Sequence, residues 1–161
     1  MPVPSANCAP MRILFLCLGN ICRSPAAEAI TRAKAQAAGL DVTFDSAGTG
    51  DWHIGAPPYD PMIEAAQARG YDLSTLRARQ IDPRDYAGFD LILAMYENNL
   101  RDVLDQAPRD MQAQVQMFLE GPAGPQDVPD PYFRRDFEAS LDLIEAGADA
   151  LVADLLADQA K

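Results

Sequence analysis

A continuous apolar run, Ile13-Leu14-Phe15-Leu16, leads into Cys17 and predicts a strand over Arg12 to Cys17, buried on both faces as in a parallel sheet. At Pro25 the period changes. Ala26, Ile30, Ala33, Ala37 and Leu40 fall on one helical face, so a helix is predicted over Pro25 to Ala38, stopped by Gly39. Three further apolar runs read as strands: Val42 to Ser46, Phe89 to Met95 and Val115 to Leu119. Asp60-Pro61 is a helix start signal for a segment that runs to Arg69 and ends at Gly70. Asp82-Pro83 opens a short helical turn, and Tyr96 to Gln106 reads as a helix with Leu100, Val103 and Leu104 facing in. The last helix is predicted from near Arg134 towards Ala157, where Phe137, Leu141, Ile144, Ala148, Leu151 and Leu155 form one apolar stripe. Leu73 to Ile81 has no clear period. Ala47 to Pro58 and Gly121 to Pro131 are rich in glycine and proline and read as loops.

Strands alternating with helices imply an α/β fold. The expected form is a three-layer sandwich with a four-stranded, mostly parallel twisted sheet flanked by helices. Such sheets bind ligands beyond the carboxyl ends of the strands, where strand order reverses. The loop after Cys17 leaves the first strand at that end. No repeat or internal boundary is visible. Residues 1–11 are expected to be a flexible tail and 12–161 a single domain.

Charge narrows the partners. Among 161 residues, 24 acidic side chains face 13 basic ones, a net charge of −11. This argues against nucleic acid or an anionic membrane as partner. No apolar run reaches membrane-spanning length, and Met1 to Pro10 carry three prolines and no apolar signal core, so a cytoplasmic protein is expected. Cys8, Cys17 and Cys22 are too few for a disulfide framework. One histidine, His53, and no carboxylate–histidine cluster at ligand spacing predict neither metal nor cofactor.

The candidate chemistry lies in Cys17-Leu18-Gly19-Asn20-Ile21-Cys22-Arg23-Ser24-Pro25. A strand, a tight loop and a helix N-terminus in succession aim backbone N–H groups and the positive end of a helix dipole at one point, a cradle for a dianion. Helix N-termini and nearby cations favour the thiolate of a cysteine, which makes Cys17 the candidate nucleophile. Arg23 offers a planar fork for two oxygens of a phosphate or related oxyanion, and the amides from Leu18 to Arg23 (Leu18, Gly19, Asn20, Ile21, Cys22 and Arg23) can meet the rest. Gly19 allows close backbone approach, Asn20 suits a left-handed position, and Ser24 can donate its hydroxyl to the sulfur. A buried core thiol is the plainer use of a cysteine, but an arginine six residues on and a helix beginning directly after count against it. The nucleotide loop Gly-x4-Gly-Lys-Ser/Thr is absent.

This nine-residue stretch resembles the signature of the low-molecular-weight protein tyrosine phosphatases. The likeness continues through Asp45-Ser46-Ala47-Gly48-Thr49, Trp52-His53, Ala78-Arg79-Gln80-Ile81, Asn99-Leu100-Arg101 and Asp130-Pro131-Tyr132, in family order from Arg12 to the last helix. It implies a hydrolase that removes phosphate from protein phosphotyrosine through a phosphocysteine on Cys17, with Arg23 as clamp and Asp130 as general acid and then base. Asp127, in the same loop, is the rival acid. The resemblance further implies that Leu18, Trp52 and Tyr132 line the substrate pocket, that Ser46 braces Asn20, and that Cys22 can form a reversible disulfide with Cys17. A tyrosine-phosphorylated protein is the implied partner, with the enzyme monomeric or weakly self-associating. Three positions depart from the family pattern. Met95-Tyr96 replaces a Met-Asp that many members carry. Tyr132 is followed by Phe133 and Arg134 instead of tyrosine and glycine. Arg134 and Arg135 add positive charge beside Asp130, which would favour acidic flanking sequence. The alternative is arsenate reduction on the same fold, which without any cysteine after Cys22 would need an external thiol.

Overall fold

The computed structural model describes residues 11–121, 124–129 and 136–159. Four parallel strands, β1 (Met11–Cys17), β2 (Val42–Gly48), β3 (Leu91–Ala94) and β4 (Gln114–Met117), form one sheet in the order β2-β1-β3-β4. Helices α1 (Arg23–Ala37), α2 (Asp60–Gln67), α3 (Asp85–Gly88), α4 (Glu97–Gln106) and α5 (Phe137–Gln159) cover it. Alternate β1 side chains enter two cores. Ile13, Phe15 and Cys17 join residues of α1, α2 and α5, while Leu14 and Leu16 join Tyr86 of α3 and Val103 of α4. This period-two division is what makes β1 an unbroken apolar run and the fold three layers deep. Phe15 stacks on Phe44 at 6.0 Å and meets Phe118 edge-on at 5.6 Å.

The strand order places the reversal at β1, flanked by β2 on one side and β3 on the other, so its carboxyl end opens into the crevice where ligands bind in such sheets. Several boundaries differ from expectation. β1 begins at Met11, inside the segment expected to be a tail, and β2 runs on to Gly48. α1 starts at Arg23 rather than Pro25, because the loop closes directly into the first helical turn through Ala26 N–H to Cys22 O. α2 ends at Gln67, with Gly70 at φ 93° completing the turn. α5 begins at Phe137, where Asp136 caps it by accepting from the Ala139 N–H at 3.0 Å.

Two expectations were wrong. The stretch Gly121 to Pro131 is not all loop: β5 (Leu119–Gly121) and β6 (Gly124–Gln126) form a small antiparallel hairpin. On α4, Leu104 is 50% exposed, and the buried face is carried by Asn99 and Val103. Neighbouring helical positions point about 100° apart, and here the edge of the buried face falls between Val103 and Leu104.

Leu73 to Ile81 has no period because it pairs with irregular backbone. It exchanges hydrogen bonds with Gly48, Gly55 and Ala56 along the rim of the sheet. No helix among the described residues is long and apolar enough to cross a membrane.

Candidate active site

Cys17 ends β1 with its thiol buried at the start of the loop that becomes α1. The loop is held from outside by its carbonyls. Cys17 O accepts from Thr49 N–H, Leu18 O from Gly50 N–H and Ile21 O from Tyr59 N–H, each at 2.9 Å. In a trans peptide the next N–H points opposite to the carbonyl, so the N–H groups of Leu18, Gly19 and Cys22 are turned away from that wall. The Asn20 N–H reaches Cys17 Sγ at 3.2 Å. α1 has no acidic residue in its first turn, which leaves the positive end of its dipole uncompensated.

Asn20 sits at φ 57°, the only non-glycine residue in the left-handed region among those described. Its side chain accounts for this. Nδ2 donates to Ser24 Oγ at 2.8 Å and to Ser46 Oγ at 3.0 Å, and Oδ1 accepts from the Arg79 N–H at 3.0 Å. Ser24 Oγ lies 3.0 Å from Cys17 Sγ and 3.4 Å from Ala47 O. Asn20 occupies a lone pair of that oxygen, so its single hydroxyl proton is divided between the sulfur at 3.0 Å and the longer contact to Ala47 O, to which it donates at 3.4 Å.

The network continues to the surface through residues the sequence did not single out. Ser46 Oγ donates to Glu28 Oε1 at 2.7 Å, and Glu28 Oε2 accepts from Arg32, which also bonds Phe44 O at 2.8 Å. Glu28 is buried, so Arg32 is what compensates its charge. The available signal was the i, i+4 spacing of Ser24, Glu28 and Arg32 along one face of α1. Arg79 was likewise noted only as part of a motif. Its guanidinium bridges Asp45 and Asp85; burial acts to lower its pKa, but hydrogen bonds and charges from the two carboxylates outweigh this and raise it.

Arg23 begins α1 and is only 5% exposed. Its Nη1 donates to Val128 O at 3.2 Å, and its Cζ lies over the Tyr96 ring, 5.6 Å from the centroid. A cavity of about 620 Å³ opens here, bordered by Leu18, Arg23, Tyr96, Asn99, Arg101 and Asp102. Two glycines of the site are closely approached, Gly48 by backbone and Gly19 by a side chain. A Cβ on Gly48 would stand 2.7 Å from Leu18 O, and one on Gly19 would stand 3.0 Å from the His53 ring.

The structure brings Cys17, Asn20, Arg23, Ser24 and Ser46 together, with Leu18, Gly19, Ile21 and Cys22 in the loop between them. Cys22 is buried like Cys17. Trp52 is 68% exposed outside the cavity just described, its ring folded over Gly50. Asp127 is engaged structurally, since its Oδ1 accepts from the Glu97 N–H at 2.8 Å and so caps α4. Val128 N–H donates to Met95 O at 2.7 Å, and Pro129 O accepts from Ser140 Oγ at 3.0 Å. Three consecutive residues of that loop are thus fastened around Arg23. Asp130, Tyr132, Arg134 and Arg135 lie outside the described residues. Among the described residues, no group of three or more His, Cys, Asp or Glu side chains is arranged to hold a metal ion.

Comparison with known proteins gives one answer. A family model described as "Low molecular weight phosphotyrosine protein phosphatase" matches residues 12–161. The low molecular weight protein-tyrosine-phosphatase of Streptomyces coelicolor is 43% identical over 152 residues, covering 88% of this chain and 92% of its own. The low molecular weight protein-tyrosine-phosphatase YfkJ of Bacillus subtilis is 39% identical over 147 residues, covering 89% and 94%. The crystal structure of YfkJ superposes with a TM-score of 0.87 at 36% identity, over 95% of this chain and 99% of that one.

Proposed function

The chain belongs to the low molecular weight phosphotyrosine protein phosphatase family and is a protein-tyrosine phosphatase, and from that premise we propose that it acts on tyrosine-phosphorylated proteins through a phosphocysteine at Cys17. The single observation that supports this best is the Cys17 sulfur, 3.0 Å from the Ser24 hydroxyl and 3.2 Å from the Asn20 N–H. Both groups can donate to the sulfur and so support the negative charge it takes up when it is expelled. The family match over 12–161 supports reading that stretch as one phosphatase domain.

In the first step the Cys17 thiolate attacks phosphorus in line, a P–S bond forms and the bond to the tyrosine oxygen breaks. The departing phenolate takes a proton from the Asp130 carboxyl. Negative charge on the equatorial oxygens is met by Arg23 and the N–H groups of Leu18 to Arg23. In the second step the Asp130 carboxylate takes a proton from water, the water oxygen attacks phosphorus, and the P–S bond breaks to release phosphate and the thiolate. Asp130 suits this role by position, two residues after the carbonyl that accepts from Arg23 and just beyond three fastened residues. Asp127 is already committed to α4. Leu18 borders the cavity, and Trp52 and Tyr132 are assigned as the aromatic walls by the family pattern.

Turnover of para-nitrophenyl phosphate by wild type and Cys17→Ser tests the reading. Activity in the variant should fall to background, with a melting temperature close to that of wild type. Undiminished turnover would remove the covalent mechanism.

A further inference from the structure

The cavity at Arg23 does not stop at the phosphate loop. Its inner end holds the buried Arg23 beside Leu18, and its outer end follows α4 to the exposed Asp102 and Asp105. We propose that this outer end selects substrate sequence: Asp102 and Asp105 receive a lysine or arginine that flanks the phosphotyrosine. This rests on reading Cys17 and Arg23 as the site that takes the phosphotyrosine itself.

The helix sets the arrangement. Asn98, Asp102 and Asp105 fall at i, i+4 and i+7, one face of α4, and all three border the cavity. With a rise of about 1.5 Å per residue, Asp102 lies about 7.5 Å and Asp105 about 12 Å along the axis from Glu97, which directly follows the ring against Arg23. An extended peptide covers about 3.4 Å per residue, so a long side chain about one to three residues from the phosphotyrosine spans that distance.

The electrostatics set the sign of the ligand. Neither carboxylate has an ion-pair partner among the described residues. Arg101, beside them in sequence, is turned back to donate to Asn98 Oδ1, and its one charge stands against two carboxylates. α4 has no basic residue in its last turn, so the negative end of its dipole adds to Asp105 instead of being offset. A bound ammonium or guanidinium offsets both. The net charge of −11 attracts a basic segment at longer range. Asn99 points to a peptide there rather than to bulk solvent. It borders the same cavity, is 3% exposed, and its Oδ1 has no hydrogen-bond partner. A buried acceptor without a donor is costly, and the N–H groups of a peptide lying along α4 supply one.

The test uses the full chain and synthetic phosphotyrosine peptides that carry lysine, alanine or glutamate at the three positions before, or the three after, the phosphotyrosine. At low ionic strength kcat/KM should be about three- to tenfold higher for lysine than for alanine on one side, and lowest for glutamate. The preference should shrink towards unity in about 0.5 M salt. In Asp102→Asn/Asp105→Asn the lysine-to-alanine ratio should fall to within about 1.5-fold of unity. A ratio taken within one enzyme cancels changes in folded fraction or general activity, so a merely structural effect leaves it unmoved. Equal rates for the three residues in wild type would overturn the proposal. So would fastest turnover with glutamate, the preference that Arg134 and Arg135 would produce, and so would a lysine preference that survives in the double variant. If wild type hydrolyses para-nitrophenyl phosphate but none of the peptides, the phosphotyrosine reading itself fails; if it hydrolyses all of them equally, only the role of Asp102 and Asp105 fails.

Discussion

Replacing Asn20 by alanine removes three hydrogen bonds at once, the buried ones to Ser24 Oγ and Ser46 Oγ and the part-buried one from the Arg79 N–H. At about 1 kcal/mol each these amount to about 3 kcal/mol. Alanine at φ 57° adds about 0.5–1 kcal/mol, because its Cβ crowds the carbonyl with no side-chain bond in return. The expected loss is therefore about 3–4 kcal/mol, and for a domain of this size a fall of about 6–16 °C in melting temperature. Asn20→Gly loses the same bonds but accepts the left-handed backbone freely, so it should be less destabilised than Asn20→Ala by up to about 1 kcal/mol. Turnover should fall at least about tenfold in both, since Ser24 is no longer oriented towards the sulfur and the Asn20 N–H loses its fixed aim. Urea unfolding followed by circular dichroism, with para-nitrophenyl phosphate turnover on the same samples, measures both quantities. A loss below about 1 kcal/mol in Asn20→Ala would refute the assignment of the loop's shape to this side chain.

Asp127→Ala should cost about 1 kcal/mol through the lost α4 cap and leave most of kcat, whereas Asp130→Ala should abolish turnover of an aryl phosphate; equal losses of kcat would undo the choice between them. Gly48→Ala forces a methyl to within 2.7 Å of Leu18 O and should destabilise by about 1–3 kcal/mol while impairing turnover, whereas Gly50→Ala meets only the exposed Trp52 ring and should stay within about 0.5 kcal/mol of wild type. Mild peroxide should inactivate wild type in a way that thiol reverses, and Cys22→Ser should recover less; equal recovery argues against a Cys17–Cys22 disulfide. Burial, and then the charge of Asp85, push the Tyr86 phenol above its ordinary range, so its contribution to stability is fully present below about pH 10 and is lost as pH rises through the folded value. Tyr86→Phe should flatten that alkaline decline in urea midpoints.

Most of the fold was legible because its elements carry their own period. The α5 stripe buries Leu141, Ile144, Ala148, Leu151 and Leu155 as its spacing requires, and β1 lies buried on both faces as its apolar run requires. The hairpin β5–β6 was missed because its strands are three residues each, in a segment dominated by glycine and proline. Leu104 was misplaced because helical spacing restricts the buried face to a narrow stripe but does not say where its edge falls. Asn99, a polar residue, took the place beside Val103.

The nine residues from Cys17 to Pro25 determined their own placement, because strand end, loop and helix start are contiguous and need no distant partner to face one another. The frame around them was decided by the tertiary structure alone. Ser46 reaches Asn20 across 26 residues and Val128 reaches Arg23 across 105. Tyr96 meets Arg23 only because β3 lies beside β1 in the sheet, so that both strands deliver their carboxyl ends to one crevice. Local sequence records the period of each element but not which elements become neighbours. Strand order is set by how whole faces bury against one another, and with it the residues that meet at the sulfur and the guanidinium.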